Sequence, residues 1–166
     1  MKAALALTAA ALLAACAAAP SAIPEDRPAT GTEAAWRAGQ AAHLAWNATR
    51  RGWSVSDSGL QHRRLSRARP DGARPGPADT VRVHYEGTFI DGRVFDSSYE
   101  RGEPIEFPLD RVIAGWTEGV GLMRVGETWE FLIPADLAYG DRWREPIPPG
   151  SALRFKVELL EVTPAG

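Results

Sequence analysis

Apolar and polar positions change period several times along the chain. From Thr80 onward, Val81, Val83 and Tyr85 alternate with Arg82, His84 and Glu86, the two-residue period of a strand with one buried face. Trp129, Phe131 and Ile133 alternate with Glu130 and Leu132, and Leu153, Phe155, Val157 and Leu159 alternate with Arg154, Lys156 and Glu158. These runs predict the long strands. Asp91-Gly92, between Phe89-Ile90 and Val94-Phe95, predicts a hairpin, because Asp-Gly suits the backbone angles of a tight turn. Ile105 to Pro108 predicts a short strand, and Val125-Gly126 a turn. Asp110 to Met123 has helical spacing but carries Gly115, Gly119 and Gly121, so this helix must be short and held by packing. Each long strand has one apolar face, and one short helix is available to cover it. The predicted class is α+β: an antiparallel, curved β-sheet wrapped over a short helix.

Before the first long strand the pattern is different. Glu33 to Arg51 is alanine-rich and predicts an N-terminal helical extension. Thr30, three residues before Glu33, suggests a capping box, and Arg50, Arg51 and Gly52 are stop features. Trp36, His43 and Trp46 are expected on one face, which must dock either on its own domain or on a second copy in a homodimer. Trp53 to Ser66 predicts extended chain broken at Asp57-Ser58-Gly59, and the proline- and glycine-bearing stretch Arg67 to Asp79 predicts a loop.

The first residues read as a targeting segment. Met1-Lys2 gives a positive start, and Ala3 to Ala15 is apolar apart from Thr8. The run is too short for the ~20 residues a membrane-spanning helix needs, but suits a secretory signal. It ends in Leu13-Ala14-Ala15-Cys16, which resembles the lipobox of bacterial lipoproteins. That resemblance implies that Cys16 becomes a lipidated N-terminus, anchoring the chain to a membrane. Ala17, rather than aspartate, follows the cysteine; by the enteric sorting rule this implies an outer-membrane anchor facing the periplasm. Ala17 to Pro28 is rich in alanine, proline and serine and reads as a semi-rigid tether. The expected organisation is a signal peptide over 1–15, lipidated cysteine and tether over 16–32, a helix over 33–52, a lead-in strand and loop over 53–79, and the main domain over 80–166.

Composition removes several function classes. The 166 residues allow one domain plus an appendage. A net charge of −2 argues against a broad nucleic-acid surface. The single cysteine excludes an intramolecular disulfide and a thiolate zinc cluster. His43, His62 and His84 lie too far apart for a helical zinc site, and no glycine-rich phosphate loop occurs, so no metal and no cofactor is expected.

Several segments carry a resemblance when taken together. Val83-His84-Tyr85-Glu86-Gly87, Asp91 to Ser98, Val112-Ile113-Ala114-Gly115-Trp116, Glu118-Gly119-Val120, Val125-Gly126-Glu127, Ala138-Tyr139-Gly140, Ile147-Pro148-Pro149 and Leu153 to Leu160 follow one another in order. The stretch resembles the FK506-binding-protein (FKBP) family of peptidyl-prolyl cis-trans isomerases. Trp46 to Leu65, with Ser58-Gly59-Leu60-Gln61, resembles the lead-in of its bacterial branch. Taken singly, Trp116, Phe95 and Phe155 are ordinary core aromatics, and Asp96 before two serines is an ordinary turn former.

The resemblance implies an enzyme that rotates X-Pro bonds in unfolded or nascent exported polypeptides; its alternative is a non-catalytic FKBP-like chaperone of the cell envelope. It also implies a site for FK506-like macrolides. Carried over residue by residue, it implies a catalytic pocket of Tyr85, Phe95, Asp96, Trp116, Tyr139 and Phe155, with Arg101, Ile105, Val112 and Ile113 binding substrate. Trp116 would be the floor, while the Tyr139 hydroxyl and the Ile113 N–H would hold substrate carbonyls. Ile105 stands where many members have phenylalanine. The loop Gly140 to Ile147 is one residue shorter than in the small prototypes and lacks their histidine; Trp143 is expected to replace it at the site.

Overall fold

The computed structural model describes residues 32–165. The candidate signal peptide, Cys16, the tether and Thr30 lie outside the described residues. Helix α1 spans Glu33–Ala48, and its cap is Thr32 rather than Thr30: the Thr32 hydroxyl accepts the Ala35 N–H at 3.2 Å. The helix stops before Arg50 and Arg51, and Gly52 beyond it takes a φ of 87°, open to glycine at little cost.

The strands β1 (Ser54–Val55) and β2 (Gln61–Arg64) form a hairpin around the predicted break. They are followed by β3 (Thr80–Phe89), β4 (Val94–Ser97), α2 (Ser98–Arg101) and β5 (Ile105–Pro108). The helix predicted over Asp110 to Met123 is divided. A 3₁₀ turn at Leu109–Arg111 and extended backbone at Val112 and Ile113 precede α3 (Ala114–Leu122). Then come β6 (Thr128–Ile133), a 3₁₀ turn at Ala135–Leu137, and β7 (Leu153–Thr163).

All strands join one antiparallel seven-stranded sheet in the order β1-β2-β6-β7-β3-β4, with β5 also paired to β3. The two longest strands, β3 and β7, pair along their whole length at the centre. β4 and β5 lie end to end on the other side of β3, against its second and first halves.

One face of the sheet holds α3. Val81, Val83, Phe131, Ile133, Val157 and Leu159 are fully buried with Val120 and Met123 of the helix end. Helix and sheet touch through glycine: a Cβ on Gly119 would sit 2.8 Å from the Phe131 ring, and one on Gly115 would overlap the Ile133 side chain. These glycines weaken the helix in isolation but permit the close approach that supports it.

The outer face is less open than simple alternation predicts. Leu132 is fully buried and Glu130 nearly so, because α1 lies over this side. The Trp36 indole donates to the Pro149 carbonyl at 2.9 Å, and Gln40 accepts the Ala152 N–H at 3.0 Å. Asn47 donates to Gln61 at 2.8 Å, and Gln61 donates to the Leu44 carbonyl at 2.9 Å. The helix therefore docks on its own domain. Trp46 does not share that face: it is half exposed and stacks under Arg50. At 100° per residue, positions 36, 40, 43 and 47 fall within about 60°, whereas position 46 lies about 80° from position 36.

Candidate active site

The inward positions of the curved sheet and the residues around α3 enclose a cavity of about 540 Å³. Tyr85 comes from β3, Phe95 and Asp96 from β4, and Ile105 and Phe107 from β5. Arg111 to Ala114, Trp116 of α3, Ala138, Tyr139, Arg142 and Arg144, and Phe155 of β7 complete the lining. Local sequence explains the packing. β3 carries Gly87 where the Phe95 and Phe155 rings converge, and a Cβ there would approach them to 2.7 and 2.9 Å.

The aromatic rings meet edge to face. Trp116 lies 5.3 Å from Tyr85 at 84°, 5.2 Å from Phe155 at 89° and 5.3 Å from Phe107 at 60°; Phe95 lies 5.6 Å from Phe155 at 88°. Such contacts place the positive ring edge on the negative ring face. Trp116 is 5% exposed and presents apolar surface to the cavity.

Asp96 is held at the edge of this box. It accepts hydrogen bonds from the Tyr85 hydroxyl and from Arg101, and Arg101 also donates to the Tyr85 oxygen at 3.1 Å. Burial alone would push the Asp96 carboxyl up, but the hydrogen bonds from Tyr85 and Arg101 and the adjacent guanidinium charge outweigh it and hold the pKa below the usual value. Burial and the bond to Asp96 push the Tyr85 phenol up. The Ile113 N–H and the Tyr139 hydroxyl make no hydrogen bond with another described residue. The Ile113 carbonyl is used, accepting from Trp116 at 2.9 Å where α3 begins.

Of the residues singled out in the sequence, the structure brings Tyr85, Phe95, Asp96, Ile105, Val112, Ile113, Trp116, Tyr139 and Phe155 around one cavity. Arg101 does not line the cavity; it stands behind Asp96 and reaches the site only through it. Trp143 is a correction. It is 52% exposed, its indole donates to Glu145 at 3.0 Å, and it lies in a separate recess with Trp36, Arg37, Asp141, Pro148 and Pro149. The loop alternates: Arg142 and Arg144 line the cavity, whereas Asp141 and Trp143 turn toward α1, where Arg37 pairs with Asp141 at 2.7 Å.

Sequence reasoning missed Phe107, Arg111, Ala114, Ala138, Arg142 and Arg144. Phe107 was accessible, being two residues from Ile105 on a strand. Arg142 and Arg144 gave no signal, because a loop has no fixed side-chain period, and Arg111 falls in a 3₁₀ turn within the segment predicted as one helix.

The family model for FKBP-type peptidyl-prolyl cis-trans isomerase matches residues 72–160. The chain belongs to the FKBP family. It is 52% identical over 121 residues to the FKBP-type 22 kDa peptidyl-prolyl cis-trans isomerase of Escherichia coli, covering 72% of this chain and 58% of that one. It is 47% identical over 125 residues to the outer membrane protein MIP of Legionella longbeachae, covering 75% and 53%. The chain thus spans about half the length of the curated relatives it matches. Among solved structures, FkpA from Escherichia coli superposes with a TM-score of 0.75 at 43% identity, over 80% of this chain and 62% of that one. A peptidyl-prolyl cis-trans isomerase from Pseudomonas syringae superposes with a TM-score of 0.73 at 32% identity, over 85% and 100%.

Proposed function

We propose that this FKBP-family chain accelerates cis–trans rotation about X-Pro bonds in polypeptides. The observation that carries this reading is the edge-to-face aromatic box over Trp116, flanked by the Tyr139 and Ile113 donors. The barrier to amide rotation is roughly 18–20 kcal/mol, and crossing it breaks no covalent bond. A planar amide is strongly dipolar and well solvated; the twisted amide is less so. A dry apolar floor therefore favours the twisted form relative to the planar one, which is differential binding of the transition state. The proline ring sits on Trp116 between Phe95, Ile105, Val112 and Phe155. The Tyr139 hydroxyl and the Ile113 N–H each hold a substrate carbonyl. Asp96, fixed by Tyr85 and Arg101, keeps the pocket edge in place.

The test is isomerisation of a short proline peptide, with and without FK506, by the chain from residue 17 onward. Catalysis that the macrolide blocks is expected, with Asp96→Ala reducing but not abolishing kcat/KM. The rate should be flat between about pH 6 and 8, because Asp96 titrates below its usual value and Tyr85 above. A bell-shaped profile in that window, lost in Asp96→Asn, would replace this mechanism with general acid–base catalysis. Binding of unfolded chains without catalysis would leave the chaperone reading instead.

We further propose that the chain works in a bacterial cell envelope on exported polypeptides, held by lipid on Cys16 after removal of 1–15 and tethered by 16–32, with 80–166 as the catalytic domain. A relative named an outer membrane protein supports the envelope, and the residues before Cys16 support the anchor. Among the described residues no helix is long and apolar enough to cross a membrane. Cys16→Ser should move the full chain from the membrane to the soluble fraction. A second copy would meet α1 on its Trp46 side, since Trp36, Gln40 and Asn47 face the helix's own domain.

A further inference from the structure

The mouth of the cavity carries unbalanced charge. Arg111, Arg142 and Arg144 line it, all three are exposed, and none makes an ion pair or side-chain hydrogen bond with another described residue. The only carboxylate in the lining, Asp96, is already engaged by Arg101 and Tyr85. The acids that share a loop with Arg142 and Arg144 face elsewhere: Asp141 pairs with Arg37 at 2.7 Å, and Glu145 accepts from the Trp143 indole at 3.0 Å. Asp110, beside Arg111 in sequence, is exposed and outside the lining. The whole chain carries a net −2, so this positive rim is local rather than a reflection of overall charge.

We propose that Arg111, Arg142 and Arg144 are specificity residues that favour prolines with an acidic neighbour in the substrate chain. The inference rests on the isomerase reading of the same cavity. The aromatic floor takes the proline ring and has no means of sorting charge. The residues before and after that proline must cross the rim, where a carboxylate meets guanidinium donors in a geometry that suits it and an ammonium is repelled. Exposed ion pairs are individually weak, so several acting together give a graded preference of about tenfold rather than an absolute one. Because the rim is wet, salt screens it.

The experiment compares kcat/KM by NMR exchange spectroscopy, which needs no coupling protease. The peptides are Ala-Glu-Pro-Phe against Ala-Lys-Pro-Phe, and Ala-Ala-Pro-Glu against Ala-Ala-Pro-Lys. The glutamate member of at least one pair should be preferred roughly tenfold at low salt, shrinking to about twofold in 0.5 M salt. Replacing all three arginines by glutamate should invert the order. Should that variant not fold, Arg144→Gln alone should lower the ratio. Arg82→Gln, on the outer face where Arg82 pairs with Glu161, should not change it. Equal rates for both members of each pair, a ratio that salt leaves unchanged, or a ratio that survives loss of the arginines would overturn the inference while leaving the isomerase standing. Absence of exchange enhancement for every peptide would overturn the isomerase reading, and this inference with it.

Discussion

The same substitution, glycine to alanine, should have opposite effects at two positions of α3. In a free helix alanine is better than glycine by up to about 1 kcal/mol. At Gly121 a Cβ meets nothing within 4 Å, so Gly121→Ala should keep that gain, about 0.4–1 kcal/mol. At Gly115 the new Cβ would overlap Cγ2 of Ile133 and approach Cδ1 to 3.0 Å and Cγ1 to 3.2 Å. Ile133 is fully buried in the sheet and cannot move aside. Overpacking of this kind costs roughly 1–3 kcal/mol, so the net effect of Gly115→Ala should be a loss of about 1–2 kcal/mol. The two variants should then differ by about 1.5–3 kcal/mol, or roughly 5–12 °C in Tm for a domain of this size. Urea and thermal melts followed by circular dichroism measure it directly. Ile133→Ala should cost less in the Gly115→Ala background than in the parent, a coupling expected of groups in contact. Because Trp116 is the next residue, kcat/KM should fall with Gly115→Ala and not with Gly121→Ala. Equal stabilisation by both substitutions would refute the argument that glycine is there to let helix and sheet approach.

Two further outcomes are expected. Glu127 is nearly fully buried; burial pushes its carboxyl up, but the Arg69 and Arg124 N–H groups at 3.0 Å, the Trp129 indole at 2.9 Å and the Arg64 charge more than offset it, leaving the pKa below its usual value. A carboxyl with a depressed folded pKa contributes fully above its unfolded value of about 4.3 and loses that contribution as pH falls toward the folded value. Glu127→Gln should therefore cost roughly 2–3 kcal/mol at neutral pH, and it should flatten the fall in stability below about pH 5, both read from urea melts. Trp36→Ala should release α1 while the sheet stays folded, at a local cost of about 3 kcal/mol, since it removes the one large apolar anchor of the helix. Hydrogen exchange confined to residues 33–48 checks this; uniform loss of protection would show that α1 and the sheet unfold together.

The sheet was legible because a two-residue period and a buried face are the same fact seen in sequence and in space. Val81, Val83 and Tyr85, or Leu153 to Leu159, admit no other arrangement once one side must be dry. The cavity was legible only through ordered motifs, since no local rule brings Asp96, Trp116 and Tyr139 together. What the sequence hid has physical reasons. Leu132 breaks the outward polar pattern because α1 covers it, a contact made between distant segments. Trp46 resembled Trp36 in type but not in angle about the helix. Trp143 resembled a site residue because it is aromatic, yet the turn of its loop sends it to α1 and gives the cavity Arg142 and Arg144.

The placement of strands also governs what a passing chain can attach to. Unpaired strand edges offer N–H and C=O groups to any extended segment, and a long one acts as a template for aggregation. Here the ten-residue β3 and eleven-residue β7 are interior. One border of the sheet is the two-residue β1, and the other is divided between the four-residue β4 and β5. Under the proposed function, an unfolded polypeptide would bring a proline to the aromatic cavity without finding a continuous row of backbone groups on which to grow another strand. On that reading, this arrangement keeps the protein from becoming the nucleus of the half-formed chains it would meet.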